Sequence, residues 1–171
     1  VHDRQTGNTV RVSVSSVGEQ GNDQTDSSLV LSEDGHFAAF SSDATNLVDG
    51  DNNTKADIFV HDLLTGYTER VNVSSSEVEA NATAWDPSIS ADGNLVVCAS
   101  GATNLVAYDA NAALDVFVRD RQAGTTILAT VNTNGEQADR GGSEGFLSAS
   151  GRYVVFSSHS ENLISDDIYG Y

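Results

Sequence analysis

The sequence predicts an all-β protein built from repeated units of four short strands, and three observations support that fold class. Asn-Leu pairs recur every 58 residues, at Asn46, Asn104 and Asn162. The same period relates three apolar runs, HFAAF, NLVVC and RYVVF, each of strand length. No stretch of the sequence shows sustained helical periodicity. A fixed period of this kind is the signature of a repeat protein.

Each repeat opens on an alternating stretch, which is TVRVSVS at residues 9–15 and recurs at 68–74 and 126–132. Alternation of apolar and polar residues predicts a half-buried strand. A polar loop follows and leads into a second short strand. That strand ends in a turn at Gly35, and glycine favours a hairpin there because it adopts a positive φ without steric cost.

The strand after the turn is the most apolar one, at residues 37–40, 95–98 and 153–156. A strand that is apolar on both sides belongs in the middle of a structure, packed on both faces. Cys98 falls where the other repeats have phenylalanine, so we interpret it as a small buried hydrophobic residue. A polar loop with the Asn-Leu pair and a last strand, DIFVHD or DVFVRD, complete the repeat.

Four short strands in radial repetition predict a β-propeller whose blades are four-stranded sheets. We expect one propeller segment over residues 1–171, with repeats at approximately 1–59, 60–117 and 118–171. Because the chain starts with VHDRQTG, inside a repeat, the first and last blades are predicted to be incomplete and complementary. The strands in residues 1–15 would pair with the third repeat of another copy, giving a ring or filament by head-to-tail complementation. The alternative is that the sequence is a fragment of a longer propeller.

Four runs, SADGNLVVCAS, SASGRYVVFSS, TNLV and DVFVRDRQAG, resemble the TolB-type, WD-like propeller repeats of secreted and periplasmic bacterial proteins. The resemblance covers essentially the whole chain. It implies a closed ring, commonly of six or more blades, with calcium in some members that have long loops. It also implies an extracellular, periplasmic or cell-surface location. Propellers host many unrelated activities, so the resemblance leaves function open.

The charge of the chain excludes some partners. Eight Lys and Arg residues against 25 Asp and Glu residues give a net charge of −17. Nucleic acids and anionic membrane surfaces both require basic contacts, so neither is an expected partner. No apolar run approaches the roughly 20 residues of a membrane-spanning helix, so no membrane insertion is expected. A strongly acidic chain favours cation binding instead.

Two acidic loops predict calcium sites, because each reads Asp-x-Asn-x-x-x-Asp just before the last strand of a repeat. Calcium takes six to eight oxygen ligands from carboxylates, amides and backbone carbonyls. The predicted ligands are Asp51, Asn53 and Asp57 in one loop and Asp109, Asn111 and Asp115 in the other. The alternative is that these residues only form Asx-turns. The third repeat keeps Ser165, Asp166 and Asp167 and is expected to bind no ion.

Other candidate sites are weaker. Trp85 occurs in one repeat only and is the candidate residue for stacking on a sugar or holding a peptide. Asn52, Asn72 and Asn81 begin Asn-x-Ser/Thr sequons and are candidate glycosylation sites. No catalytic constellation is recognised in the sequence, so we do not expect an enzyme.

These observations favour an extracellular, calcium-stabilised structural module that assembles with copies of itself. Near-equivalent repeats support this interpretation, because a specific ligand site usually breaks the symmetry of its loops. The alternatives are a carbohydrate- or peptide-binding propeller module and a non-catalytic fragment of a larger secreted propeller protein.

Overall fold

The computed structural model describes residues 1–165, except for the side chain of Ser27, and this part of the chain contains ten β-strands and no helix. The strands are β1 Thr25–Leu31, β2 Phe37–Ser42, β3 Asp57–Asp62, β4 Thr68–Arg70, β5 Ala84–Ile89, β6 Leu95–Ser100, β7 Asp115–Asp120, β8 Thr125–Leu128, β9 Ser143–Leu147 and β10 Val154–Ser157. Residues 1–165 accordingly have no helix of the length and hydrophobicity needed to cross a bilayer.

The strands form three antiparallel sheets. Sheet 1 has the order β1-β2-β3-β4, sheet 2 has the order β5-β6-β7-β8, and sheet 3 pairs β9 with β10. The first two sheets confirm the predicted four-stranded unit, whereas a closed ring and its number of blades stay predictions. The predicted repeat limits at residues 59 and 117 fall inside β3 and β7, so each four-stranded sheet combines strands from two predicted repeats.

Hairpins join the first two strands of each sheet, as the Asp-Gly and Ser-Gly turns predict. Gly35 has φ 73°, and its counterparts in the other sheets also have positive φ. In β2 and β6 the apolar residues are buried on both faces: Ala39 and Val97 are 0% exposed, and Phe40 is 1% exposed. The prediction of central strands is therefore confirmed for sheets 1 and 2.

The sheets stack face to face along the chain. We call the face towards the next sheet the forward face and the opposite one the rear face. The forward face of sheet 1, with Ala39, Ile58 and Val60, packs on Val96 and Phe117 of the rear face of sheet 2. The forward face of sheet 2 packs in the same way on the rear face of sheet 3. That second interface joins Val97, Val116 and Val118 to Leu147, Val154 and Phe156.

The N-terminal segment, residues 1–22, occupies the position of the outer strands of a preceding sheet. The strand predicted at residues 9–15 does not form. Thr9, the counterpart of Thr68 in β4, makes an isolated bridge to His2, and Val14 makes one to Gln20, as Val73 does to Glu79. The amide of Thr68 donates to the Ser16 hydroxyl at 2.9 Å. The Ser75 hydroxyl accepts the Thr126 N–H in the same way at 2.9 Å. The N-terminal segment therefore contacts sheet 1 through the same hydrogen bond that connects the segment after β4 to sheet 2.

The repeated Asn residues connect the loop after β2, or its counterpart, to the loop that precedes each sheet. Each Asn side chain accepts a backbone N–H through Oδ1 and donates to a backbone carbonyl through Nδ2. The accepted N–H groups belong to Asn22 for Asn46 at 2.9 Å, to Asn81 for Asn104 at 3.0 Å and to Asp139 for Asn162 at 3.0 Å. The most regular landmark in the sequence therefore has a structural role.

Part of the predicted closure concerns residues that the structure does not describe. The third repeat, which residues 1–15 of another copy are predicted to pair with, ends in residues 166–171, and these lie outside the described residues. Asp166 and Asp167 of the third acidic loop also lie outside the described residues.

Candidate metal centre

Three carboxylates from separate segments meet beside sheet 1. Asp51 lies in the loop between β2 and β3, Asp57 is the first residue of β3, and Glu79 lies in the segment after β4. One oxygen of each carboxylate lies within 4.8 Å of the others. Asp57 is fully buried, and the side chain of Asp51 is 1% exposed. Three negative groups are thus gathered where water reaches them poorly.

Arg70, at the end of β4, is the cation of this cluster. One guanidinium nitrogen, Nη1, lies 3.0 Å from Asp57 Oδ2 and 3.8 Å from Asp51 Oδ1, and it also contacts the Glu79 carboxylate. If all three carboxylates are ionised, a single guanidinium leaves two negative charges uncompensated. Buried charges are stable only when they are paired and hydrogen-bonded, so the cluster is electrostatically incomplete.

Among the described residues, Asp51 is the carboxylate whose negative charge lacks a compensating hydrogen bond. Its Oδ1 atom is buried and finds no hydrogen-bond partner within residues 1–165. Burial and the neighbouring charge of Asp57 raise the pKa of Asp51 to about 6. Burial also raises the pKa of Asp57, although Asn72 donates to Asp57 at 2.6 Å. The site therefore disfavours the full negative charge that its residues carry in water.

Asn53, the third predicted ligand of this loop, does not offer its oxygen to the cluster. Its Oδ1 accepts the Lys55 N–H at 2.6 Å, and its Nδ2 donates to the Ala80 carbonyl at 2.9 Å. Asn53 therefore forms the Asx-turn that the sequence left open as an alternative. The sequence analysis placed Asp51 and Asp57 in one site but missed Glu79, which lies in the segment after β4.

In the second acidic loop, hydrogen bonds from an amide take the place of the ion pairs. Gln137, the repeat counterpart of Glu79, donates Nε2–H to Asp109 Oδ1 at 2.8 Å and to Asp115 Oδ2 at 3.0 Å. Leu128 stands at the position of Arg70. Asn111 accepts the N–H of the residue two places on, Ala113, at 2.9 Å, so it also forms an Asx-turn. Burial raises the pKa of Asp115.

The donors fit a hard divalent cation at the first loop better than at the second. Asp51, Asp57 and Glu79 supply six carboxylate oxygens, the donor type that calcium and magnesium prefer. At the second loop, the amide of Gln137 already links Asp109 to Asp115. The cluster beside sheet 1 could therefore bind a metal ion.

The remaining predicted sites are dispersed. Trp85 is half-buried in β5 and lines neither the cavity beside Thr68 nor the cavity beside Gly142. Asn72 is buried, and its Oδ1 accepts the Ile58 N–H at 2.9 Å. The folded chain consequently presents the sequon residues Asn52 and Asn81 at its surface, whereas Asn72 is reachable only before folding.

No protein-family model matches the chain, and no curated protein matches it. Among solved structures, the chain is similar to a TolB-type protein of Agrobacterium tumefaciens, with 20% identity over 74% of this chain and 38% of that one, at a TM-score of 0.45. It is also similar to TolB of Acinetobacter baumannii, with 16% identity over 94% of this chain and 32% of that one, at a TM-score of 0.49. The chain thus spans about a third of the length of these structures. Both are TolB structures, the type of protein that the repeats resemble.

Proposed function

We propose that the chain is a non-catalytic structural module in which calcium links the loop before β3, the start of β3 and the segment after β4. The observation that carries this proposal is the buried Oδ1 of Asp51, which accepts no hydrogen bond within residues 1–165 and lies beside Asp57 and Glu79. An ion at this position would give that oxygen a partner and would neutralise the charge that Arg70 leaves over.

The chemistry of the donors favours calcium over other divalent ions. The cluster offers carboxylate oxygens, and the carbonyl of Gly50 lies close by, since Nη2 of Arg70 donates to it at 3.3 Å. Zinc prefers nitrogen and sulfur ligands, and magnesium demands near-ideal octahedral geometry and keeps several waters. Three carboxylates with one guanidinium carry a net charge of −2, which one calcium ion balances.

The positions of the ligands favour a structural role over a catalytic one. The ion would join the loop that leads into β3 to the segment after β4, which is how a cation stabilises a fold. Binding that is restricted to the folded state raises stability by RT ln(1 + [L]/Kd), about 2.7 kcal/mol when calcium is 100 times Kd. Extracellular modules typically bind calcium with Kd about 10⁻⁴–10⁻³ M, so this function fits an extracellular, periplasmic or cell-surface location.

The second part of the proposed function is assembly with copies of the same chain. Stacked sheets of the same kind are the chain's own mode of packing, and apolar faces remain exposed at both ends of the stack. This assembly involves neither nucleic acid nor membrane lipid. Cell fractionation, with the protein recovered from the periplasm, the cell surface or the medium, tests the location.

Thermal unfolding tests the calcium site. We expect the melting temperature to rise with calcium chloride and to fall back when a chelator is added. Asp51→Asn and Glu79→Gln should each abolish most of this rise. Glu33→Gln is a matched control, because it removes one carboxylate charge from the exposed turn between β1 and β2, away from the cluster.

Three outcomes contradict the proposal. A melting temperature that is the same in calcium and in chelator contradicts stabilisation of the fold by calcium. A rise of equal size with magnesium contradicts the selectivity for calcium. A rise that survives Asp51→Asn but is lost in Asp109→Asn places the ion at the second loop instead.

A further inference from the structure

The forward face of sheet 3 exposes residues that the other sheets bury at the same repeat positions. Val155 is 65% exposed, whereas its counterparts Ala39 and Val97 are 0% exposed. Phe146, which pairs with Val155 across the sheet, is 61% exposed, and its counterpart Ser88 is buried. An exposed apolar patch at positions that are otherwise interior indicates a docking surface.

The chain itself shows what kind of surface covers these positions. Val97 is buried because the rear face of sheet 3 lies on it, through Leu147, Val154 and Phe156. The fit is close, since a Cβ atom added to Gly145 of sheet 3 would lie 2.6 Å from Cγ1 of Val97. The matching occupant for Phe146 and Val155 is therefore the rear face of another sheet of this repeat type.

The rear face of sheet 1 is covered in its outer half and exposed in its inner half. The N-terminal segment packs Val12 against Phe40 and Phe59, which are buried. On the inner strand β1, by contrast, Leu29 is 64% exposed and Leu31 is 42% exposed. In the stack of sheets 1 and 2, the equivalent residues are covered by the inner pair of strands of the neighbouring sheet, and the N-terminal segment occupies the place of the outer pair.

Sheet 3 contains the counterparts of the two inner strands of a four-stranded sheet, and the N-terminal segment contains the counterparts of the two outer strands. In sheet 1, Ala39 of β2 pairs with Val60 of β3, and Ala38 pairs with His61. The repeat counterparts of these pairs are Val155 with Val1 and Val154 with His2.

We propose that two copies of the chain join head to tail in this register. The β9–β10 hairpin of one copy lies beside residues 1–3 of the other, and its Phe146 and Val155 pack on Leu29 and Leu31. This inference rests on the assembly role proposed above and does not require calcium. The contact is heterologous, so it closes into a ring of six sheets if the rotation permits and otherwise extends into a filament.

Sedimentation velocity over a range of protein concentrations measures the association. Because both copies carry the same net charge of −17, we expect association to strengthen as salt screens the repulsion. Val155→Glu and Leu29→Glu should each weaken association at least about 10-fold. Leu64→Glu is the matched control, since Leu64 is 71% exposed in the turn between β3 and β4 and lies on neither face. The substituted residues are already exposed in one copy, so these variants should fold.

Disulfide trapping tests the register. Directly opposed residues in an antiparallel pair have Cα atoms about 4.5–5.5 Å apart, which is within disulfide reach. A Val1→Cys chain mixed with a Val155→Cys chain should form a crosslinked pair under mild oxidation. Val17→Cys in place of Val1→Cys is the control, because Val17 is exposed but lies outside the predicted pairing. Cys98 is buried and should not contribute.

The outcomes separate this inference from the proposed function. A chain that stays monomeric at every concentration and salt overturns head-to-tail joining, whatever calcium does to the melting temperature. Association that Val155→Glu and Leu29→Glu leave unchanged, without crosslinking of Val1→Cys to Val155→Cys, overturns this interface while keeping self-assembly. Loss of the calcium effect with intact crosslinking refutes only the calcium site.

Discussion

Replacing Arg70 with leucine should destabilise the chain strongly, and a second substitution should restore much of the loss. The side chain of Arg70 is 10% exposed, and its guanidinium is the only cationic group that contacts the three carboxylates within the described part of the chain. The sequence provides its own comparison, because the second loop has Leu128 and Gln137 where the first has Arg70 and Glu79.

The size of the effect follows from the burial of the cluster. Removing one partner of a buried ion pair costs about 3–5 kcal/mol, since the remaining charge stays buried and uncompensated. Glu79→Gln alone should change the free energy of unfolding by less than about 1 kcal/mol, because it removes one of three like charges and one partner of Arg70. In the double variant, the amide introduced by Glu79→Gln can donate to Asp51 and Asp57 as Gln137 donates to the two aspartates of the second loop.

Urea unfolding of the four proteins in chelator, with a shared m-value, provides the double-mutant cycle. We expect the double variant to recover at least about 2 kcal/mol of the loss caused by Arg70→Leu, the size of coupling found for groups in contact. Losses that add independently would refute the reasoning, because they would mean that Arg70 and Glu79 do not act on the same charges. An Arg70→Leu chain as stable as the parent would refute the burial argument itself.

Three further predictions follow from burial. Phe59→Ala should cost about 3–5 kcal/mol in urea unfolding and Phe156→Ala clearly less, because Phe59 is fully buried and Phe156 only half-buried; equal losses would contradict this difference. Burial raises the pKa of Cys98 to about 12, so a thiol reagent at pH 8 should label it only after unfolding, and rapid labelling of the native chain would be inconsistent with the core. Burial raises the pKa of Asp51 to about 6 from an ordinary value near 3.8, so its contribution to stability falls as pH rises between about 4 and about 6. In chelator, Asp51→Asn should therefore gain stability relative to the parent over that interval, and a constant difference would count against the raised pKa.

The strands could be predicted because their signals are local. Near-continuous apolar runs identified β2 and β6, and glycine turns placed the hairpins on either side of Gly35 and Gly93. The strand predicted from the alternation at residues 68–74 is confirmed only in part, since β4 ends at Arg70. The Val71 amide still donates to the Ile58 carbonyl at 2.8 Å, and Val73 then bridges to Glu79 in the connection to the next sheet. A pattern of alternation does not show where a strand loses its neighbour.

The candidate site could be predicted only in part, because its members meet through tertiary structure. Asp51 and Asp57 share one loop and are predicted together, whereas Arg70 comes from the end of β4 and Glu79 from the segment after it. Asn53 has the right chemistry for a ligand, but its oxygen is already used by the N–H two residues on. The repeat offered one signal for Glu79. It follows Asp57 at the same spacing at which Gln137 follows Asp115.

The stacking of the sheets has a consequence for how the chain opens. Sheet 2 is covered on both faces, whereas sheet 3 is covered on one face within the described residues. In a linear array, each unit is stabilised by its nearest neighbours, so a unit with two neighbours opens last. Amide hydrogens of β6 and β7 should therefore exchange with solvent only through global unfolding, while those of β9 and β10 exchange through local fraying. A second copy joined at sheet 3 would turn that end into an interior position, so hydrogen exchange in β10 would slow with protein concentration.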